Sequence, residues 1–135
     1  AGHDDYARGD VVAKAKAENE RTLVIALVET ATGIANVDAI AAVPGIDVVW
    51  LGHFDLTDSM GITGQFERPE FDAAVEKLVD AATRHGKAAG FLATSIDMAR
   101  AWRKKGFRCI SYGSDVGLLQ GALGEGIAAL RAGEG

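Results

Sequence analysis

The sequence has one cysteine, Cys109, and no long apolar run. A single cysteine cannot form a disulfide within the chain, and its position in the apolar segment FRCISYG indicates a buried small hydrophobe rather than a nucleophile. This cysteine usage favours a reducing, cytoplasmic setting. No apolar run approaches the roughly 20 residues that cross a bilayer, and residues 1–10 lack the basic and apolar regions of a signal peptide. We therefore expect no membrane partner.

A basic surface is also missing, because the net charge is -5 at pH 7. Nucleic-acid binding needs clustered lysine and arginine to neutralise phosphates, so nucleic acid is not expected as a partner. The sequence contains neither GxGxxG nor a P-loop, the two motifs that most often hold nucleotide phosphates. A chain of 135 residues can bury one hydrophobic core, so we expect residues 1–135 to form a single domain.

Four apolar runs of strand character are present, and a helix-length segment follows each one. The predicted strands are 23–28, 47–52, 87–93 and 107–113, and the predicted helices are 11–20, 30–42, 69–85, 95–105 and 114–130. Residues 57–68 are predicted to form a loop. Alternating strands and helices indicate an α/β fold with a parallel sheet, in which functional side chains gather at the carboxyl ends of the strands. A doubly wound nucleotide-binding sheet is the alternative, disfavoured by the missing phosphate loop.

Two carboxylates follow the first two predicted strands. Glu29 closes the run LVIALVE, and Asp55 lies three residues after Gly52 in VVWLGHFDL. If these strands are parallel, both side chains lie at the same edge of the sheet, where they could bind Mg²⁺ or Mn²⁺. Two other interpretations stay open at this point. Both acids could stabilise helix N-termini, or they could form an acid–base pair of the kind used on glycosides.

Other acidic positions have simpler interpretations. The group His3, Asp4 and Asp5 is typical of a solvated terminal turn, and Asp115 is typical of a helix cap. Trp50 and Trp102 are expected to pack in the core.

Three segments resemble the HpcH/HpaI family of metal-dependent class II pyruvate aldolases, which includes relatives of the citrate lyase β subunit. The segments are VETATGIANVDAIAAVPGIDVVWLGHFDLTDSMG, RPEFDAAVEKLVDAATRHGKAAGFLAT and GFRCISYGSDVGLLQGAL, and the resemblance covers roughly residues 21–132. It implies a TIM (β/α)₈ barrel in which the four strands here are the fifth to the eighth. The chain would then be the C-terminal half-barrel of a longer protein, or a half-barrel that associates with another half.

The resemblance also implies a function. The family cleaves or forms 4-hydroxy-2-oxo acids, from pyruvate or another 2-oxo acid and an aldehyde, through a metal-bound pyruvate enolate. By similarity, Glu29 and Asp55 are the protein ligands of Mg²⁺ or Mn²⁺, with Co²⁺ as a further option. The backbone of Gly52, His53 and Phe54 would lie against the pyruvate carboxylate.

Further implications of the resemblance concern the rest of the enzyme. Leu92 would line the aldehyde side of the pocket. The histidine base and the arginine of the family belong to the first half of the barrel, so no catalytic residue is expected in this chain and the N-terminal half-barrel is required. The family also implies a homo-oligomer, because its members place the last helix on a neighbouring subunit.

Two positions depart from the family pattern, and two other functions are retained. His53 stands where the family often has proline, and Leu27 stands where many members have glutamine. Both departures concern the substrate more than the metal. The alternatives are a citrate-lyase-like enzyme acting on CoA thioesters and a non-catalytic half-barrel that serves in binding or assembly.

Overall fold

The computed structural model describes residues 9–133, and in this range helices and strands alternate along the chain. The elements are α1 (Val11–Arg21), β1 (Ile25–Val28), α2 (Ala31–Ala35), α3 (Val37–Ala41), β2 (Val48–Leu51), α4 (His53–Ser59), α5 (Pro69–Arg84), β3 (Ala88–Ala93), α6 (Ile96–Lys104), β4 (Cys109–Tyr112) and α7 (Asp115–Ala132).

The four strands form one parallel sheet in the order β1-β2-β3-β4. The register pairs Val28 with Leu51 and Phe91 with Ile110. Each strand therefore lies beside its neighbour in sequence, and helices connect them across one face. This is the predicted α/β architecture, and it corresponds to about half of a TIM-like barrel.

The outer face of the sheet carries the core, which lies between the strands and the helices. Val28, Leu51 and Phe91 of the strands are at most 2% exposed and pack with Leu78 of α5 and Trp102 of α6. Phe91 stacks on Trp102 with ring centroids 4.4 Å apart. Burying a side chain of this size contributes roughly 1.5–3 kcal/mol, so this layer stabilises the packing of the helices on the sheet.

The inner face of the sheet is only partly covered. It presents Leu27, Trp50 and Leu92, of which Leu27 is exposed and the other two are half-buried. The ring of Trp50 lies over Gly90, where a Cβ atom would stand 2.6 Å from Cε3 of the indole. In a closed barrel this face is the interior. Trp102 is buried as predicted, whereas Trp50 is buried only in part.

Several helices begin and end at residues that are typical of helix termini. The Asp10 carboxylate caps α1 by accepting hydrogen bonds from the N–H groups of Val12 (2.7 Å) and Ala13 (2.9 Å). Pro69 is the first residue of α5, and Gly86 follows that helix with φ +68°. His85 is the C-terminal cap residue of α5, where the helix predicted over 69–85 ends. These residues suit their positions for local reasons, which is why the sequence identifies them.

Three expectations differ from the structure. The helix predicted over 30–42 is two short helices, α2 and α3, separated at Asn36, whose side-chain amide donates to the carbonyl of Thr32 at 2.9 Å. The predicted loop 57–68 begins later, because α4 continues to Ser59. Cys109 is half-buried rather than buried, since β4 is one of the two edge strands of the sheet.

The last helix and the first strand carry apolar surface that nothing in residues 9–133 covers. α7 has no buried residue, and several of its large apolar side chains are exposed. They are Val116, Leu118, Leu119, Leu123, Ile127 and Leu130. On β1, Ile25 and Leu27 are about half exposed. In the part of the chain that the structure describes, no helix combines the length and apolar character needed to cross a membrane.

Candidate active site

Glu29 and Asp55 lie at the same edge of the sheet. Glu29 directly follows the last residue of β1, and Asp55 lies in the first turn of α4, which is separated from β2 by Gly52 alone. Because Val28 pairs with Leu51, the next residues along the two strands, Glu29 and Gly52, are neighbours. The N–H of Gly52 donates to the carbonyl of Val28 at 3.0 Å, which continues the ladder to this point.

The side chain of Glu29 crosses the backbone of Gly52. A Cβ atom at position 52 would stand 2.6 Å from Cβ of Glu29 and 3.0 Å from its Oε2. The carboxylate therefore extends from β1 toward the turn that carries Asp55. The Glu29 residue is half-buried and Asp55 is exposed, so both can be reached from solvent. Glycine at position 52 makes this approach sterically feasible.

The donor set at this edge consists of two carboxylates. Among residues 9–133, no group of three or more histidine, cysteine, aspartate or glutamate side chains is arranged to bind a metal ion. A Mg²⁺ site that also receives a substrate usually has one or two carboxylates from the protein, and the ion keeps several of its water ligands. The residues present are compatible with such an ion. His3, Asp4 and Asp5 lie outside the described residues.

A cleft of about 160 Å³ opens beside Asp55, and Glu29 is not part of its lining. Its lining includes every predicted substrate-binding residue, and consists of Trp50, Leu51, Gly52, His53, Phe54, Asp55 and Leu92. Leu92 comes from β3, whereas the other six residues come from β2, from α4 and from Gly52 between them. The structure thus brings together residues from two adjacent strands, and their shared wall is largely apolar.

The imidazole of His53 lies in an aromatic cluster. Its ring centroid is 5.5 Å from that of Phe66, 6.1 Å from Phe91 and 6.3 Å from Trp102. Burial lowers the pKa of His53 below 6.5, and the nearby negative charge of Asp55 opposes this shift only in part. The ring is therefore neutral at pH 7 and covers the top of the core.

Helix α4 is the functional element that sequence reasoning missed. The sequence predicted no helix between residue 52 and the loop 57–68, although α4 carries Asp55 in its first turn. One signal could have identified it, since Leu56 and Met60 are apolar and four residues apart, which is helical spacing. Leu56 is fully buried, and Met60 packs against the same core. Asp115 begins α7, where the hydroxyl of the neighbouring Ser114 provides the cap.

Comparison with known proteins identifies the family. The family profile described as HpcH/HpaI aldolase/citrate lyase matches residues 3–122. A hydroxypyruvate/pyruvate aldolase of Chromohalobacter salexigens is 39% identical over 110 residues, which are 82% of this chain and 43% of that protein. A 5-keto-4-deoxy-D-glucarate aldolase of Klebsiella pneumoniae is 35% identical over 77% of this chain and 41% of its own length.

The solved structures agree with the sequence comparison. A crystal structure of an HpcH/HpaI aldolase/citrate lyase family protein from Burkholderia cenocepacia matches with a TM-score of 0.80 and 32% identity, over 94% of this chain and 54% of that one. The chain thus spans about half of that solved structure and less than half of the two curated relatives. On the profile, the relatives and the fold together, this chain belongs to the HpcH/HpaI aldolase/citrate lyase family.

Proposed function

We propose that this chain is the C-terminal half of a divalent-metal-dependent pyruvate aldolase, a lyase that forms or cleaves 4-hydroxy-2-oxo acids. The observation that carries the proposal is the position of the Glu29 side chain across Gly52, beside the turn that bears Asp55. The names of the relatives, hydroxypyruvate/pyruvate aldolase and 5-keto-4-deoxy-D-glucarate aldolase, support this reaction class.

Glu29 and Asp55 would hold the cation. Carboxylate oxygens suit Mg²⁺ and Mn²⁺, and Co²⁺ is a further option. Because Asp55 is exposed and Glu29 only half-buried, the two charges keep partial hydration until the ion arrives. When bound, the cation would polarise the keto group of pyruvate and stabilise the charge of the enolate.

The backbone of Gly52, His53 and Phe54 would bind the carboxylate of pyruvate. The first N–H groups of a helix have no acceptor within the helix, and in α4 they belong to His53, Phe54 and Asp55, which line the cleft. The missing side chain at Gly52 lets a ligand approach the backbone closely. Leu92 and Phe54 would form an apolar wall on the aldehyde side and exclude water from the enolate.

The proton transfers require residues outside this chain. A base must remove a proton from the pyruvate methyl group, and the ring of His53 is held among phenylalanine and tryptophan side chains instead. We assign no catalytic acid or base to this chain. The histidine base and the arginine would come from an N-terminal half-barrel, in a cytoplasmic homo-oligomer.

Exchange of the pyruvate methyl protons with solvent tests the proposal. In the full-length protein with Mn²⁺, we expect Glu29→Gln and Asp55→Asn each to lower the exchange rate at least about a hundredfold, because each removes a charged ligand. Asp58→Asn is the matched control, since Asp58 is an exposed carboxylate of the same helix whose partner is the Thr63 hydroxyl. If exchange persists in both site variants, the assignment of the ligands is wrong.

The alternative that uses CoA thioesters gains no support from the basic surface of the chain. Arg100, Arg103 and Lys104 line a cleft of about 370 Å³. They lie in the second half of α6, which returns to the amino ends of the strands before β4 begins. The six residues of β3 span about 20 Å. A cofactor bound there would lie at the amino ends of the strands, whereas Asp55 lies at their carboxyl ends.

Calorimetry distinguishes the enzyme from a non-catalytic binding module. Mn²⁺ and pyruvate would be titrated into the 135-residue chain alone, and proton exchange would be measured on the same sample. Binding in the 135-residue chain, with exchange only in the full-length protein, supports an aldolase divided across two half-barrels. Binding without exchange in both supports the module.

A further inference from the structure

Thr57 is the one polar side chain that is fully buried within residues 9–133. It lies two residues after Asp55 in α4. Its hydroxyl donates to the carbonyl of Phe54 at 2.7 Å and accepts from the N–H of Gly64 at 3.0 Å. The backbone carbonyl of Thr57 also accepts from the N–H of Ile62 at 2.9 Å. A single residue thus joins the first turn of α4 to the segment 61–66.

The segment 61–66 returns to the same turn through a second contact. The ring of Phe66 lies 5.5 Å from that of His53 and 5.4 Å from that of Phe54, measured between centroids. Gly61 and Gly64 both have positive φ (72° and 73°), which lets the segment reverse direction tightly. The segment therefore supports the residues 52–55 from behind at two points, one polar and one aromatic.

A second hydroxyl connects α4 to the other carboxylate. Ser59 Oγ accepts a hydrogen bond from the N–H of Ala31 at 3.0 Å. Ala31 is the first residue of α2 and lies two residues after Glu29. The helix that carries Asp55 is thus hydrogen-bonded to the turn that carries Glu29. The segments that carry Glu29 and Asp55 are thus joined directly by this hydrogen bond.

We propose that Thr57 and Ser59 are positioning residues, which set the separation of Glu29 and Asp55 so that both carboxylates meet one divalent cation. The inference rests on the proposed function above. Neither hydroxyl touches the ion or the substrate. Thr57 acts through the carbonyl of Phe54 and the segment 61–66, and Ser59 acts through the backbone of Ala31. Thr57 has the larger effect because its hydroxyl is buried, so no water can replace it.

Substitutions at the two positions separate positioning from packing. Thr57→Val keeps the volume and shape of the side chain but leaves the N–H of Gly64 without an acceptor. Thr57→Ser keeps the hydroxyl and loses only a methyl group. Ser59→Ala removes the bond to Ala31 at the surface. Thr63→Val is the matched control, because Thr63 lies in the same segment and its exposed hydroxyl bonds only the Asp58 side chain, at 2.7 Å.

The affinity for Mn²⁺ is the first readout, measured by calorimetry on the full-length protein without substrate. Removing a direct partner of a metal ligand typically weakens binding 10- to 100-fold; Thr57 acts through Phe54 instead, so we expect the lower end of this range, a rise of about tenfold in Kd, for Thr57→Val. We expect a rise of about threefold for Ser59→Ala, whose bond is exposed, and less than about twofold for Thr57→Ser and Thr63→Val. The electron paramagnetic resonance spectrum of bound Mn²⁺ should broaden in Thr57→Val alone.

Further measurements decide the outcome. Thermal unfolding identifies a temperature at which each variant is folded, and all affinities are compared there. Unchanged Mn²⁺ affinity in folded Thr57→Val would overturn the inference, as would an equal loss in Thr63→Val. Glu29→Gln and Asp55→Asn are titrated in parallel. If they too leave the affinity unchanged, the proposed function itself fails, whereas a loss in these two without a loss in Thr57→Val contradicts only the positioning role.

Discussion

A side chain at position 52 would collide with Glu29, so this glycine is the most direct test of the geometry between the carboxylates. We expect Gly52→Ala to weaken Mn²⁺ binding about tenfold, because the new Cβ displaces Glu29. The backbone at Gly52 has φ -86°, which alanine adopts without strain. A loss of Mn²⁺ affinity would therefore result from the collision of the new Cβ with Glu29 and not from backbone strain. Overpacking should also lower the free energy of unfolding by about 1–3 kcal/mol.

Gly121→Ala is the control for this substitution. No atom stands within 4 Å of a Cβ at position 121, which lies inside α7. Alanine is the better helix former, so this change should leave Mn²⁺ binding intact and raise helix stability by up to about 1 kcal/mol. Both quantities come from calorimetry and urea denaturation of the full-length protein. Equal Mn²⁺ affinity in Gly52→Ala and the wild type would contradict the observed approach of Glu29.

His53 should make stability depend on pH. Burial lowers its pKa below 6.5, so the unfolded chain takes up a proton at a higher pH than the folded chain does. The free energy of unfolding should therefore fall as the pH drops below about 6.5, and this fall should level off below the folded pKa. His53→Phe retains an aromatic ring without a titrating group. The free energies of unfolding of the wild type and of His53→Phe would be compared by urea denaturation without metal. The difference between them should be constant above about pH 7 and should change as the pH is lowered to 5. Parallel curves would refute the shift.

At the scale of elements, local signals predicted most boundaries and failed where packing decides. The caps at Asp10 and Ser95 act through their own neighbouring N–H groups, so the sequence alone identifies them. The division between α2 and α3 lies at Asn36, whose side chain bonds the carbonyl of Thr32. An asparagine can either continue a helix or compete with it for backbone hydrogen bonds. Such competition cannot be resolved from the apolar pattern.

The missed helix α4 shows the same limit at the candidate site. Its seven residues are too few for a clear amphipathic pattern, and they are held by contacts with distant segments. Thr57 bonds Gly64 and Ser59 bonds Ala31, and neither partner is visible from sequence spacing. The two carboxylates were predicted because strand ends are local features. The support behind them was not, because it is tertiary.

Helix α7 should be far less protected from hydrogen exchange than α5 in the 135-residue chain. It has no buried residue, whereas α5 buries six. Local opening is governed by buried contacts, so we expect the amides of α7 to exchange with deuterium at least about a hundredfold faster than those of α5. Hydrogen exchange followed by mass spectrometry of peptides from each helix measures this. Similar protection in the two helices would show that another surface covers α7.

At the scale of the molecule, the sheet formed by residues 9–133 ends at two open edges. β1 and β4 are the outer strands, and each leaves backbone groups available for a further strand. The inner face adds exposed apolar side chains at Ile25 and Leu27. A parallel sheet is normally covered on both faces, so this half-barrel leaves unburied the surface that a whole barrel would enclose. The solved structure from Burkholderia cenocepacia is about twice as long, which agrees with this need.

The 135-residue chain alone should therefore associate through the inner face and the β1 edge. We expect sedimentation velocity to show oligomers at micromolar concentration, and we expect Ile25→Lys to shift the population toward the monomer by about tenfold in association constant, because a buried lysine charge opposes pairing. Val11→Lys is the control, since Val11 lies on α1 and is 79% exposed, more than Ile25 at 45%. A monomeric wild-type chain, or equal effects of the two lysines, would contradict association through this face. A selective effect of Ile25→Lys would identify the inner face as the surface that a second half-barrel would cover.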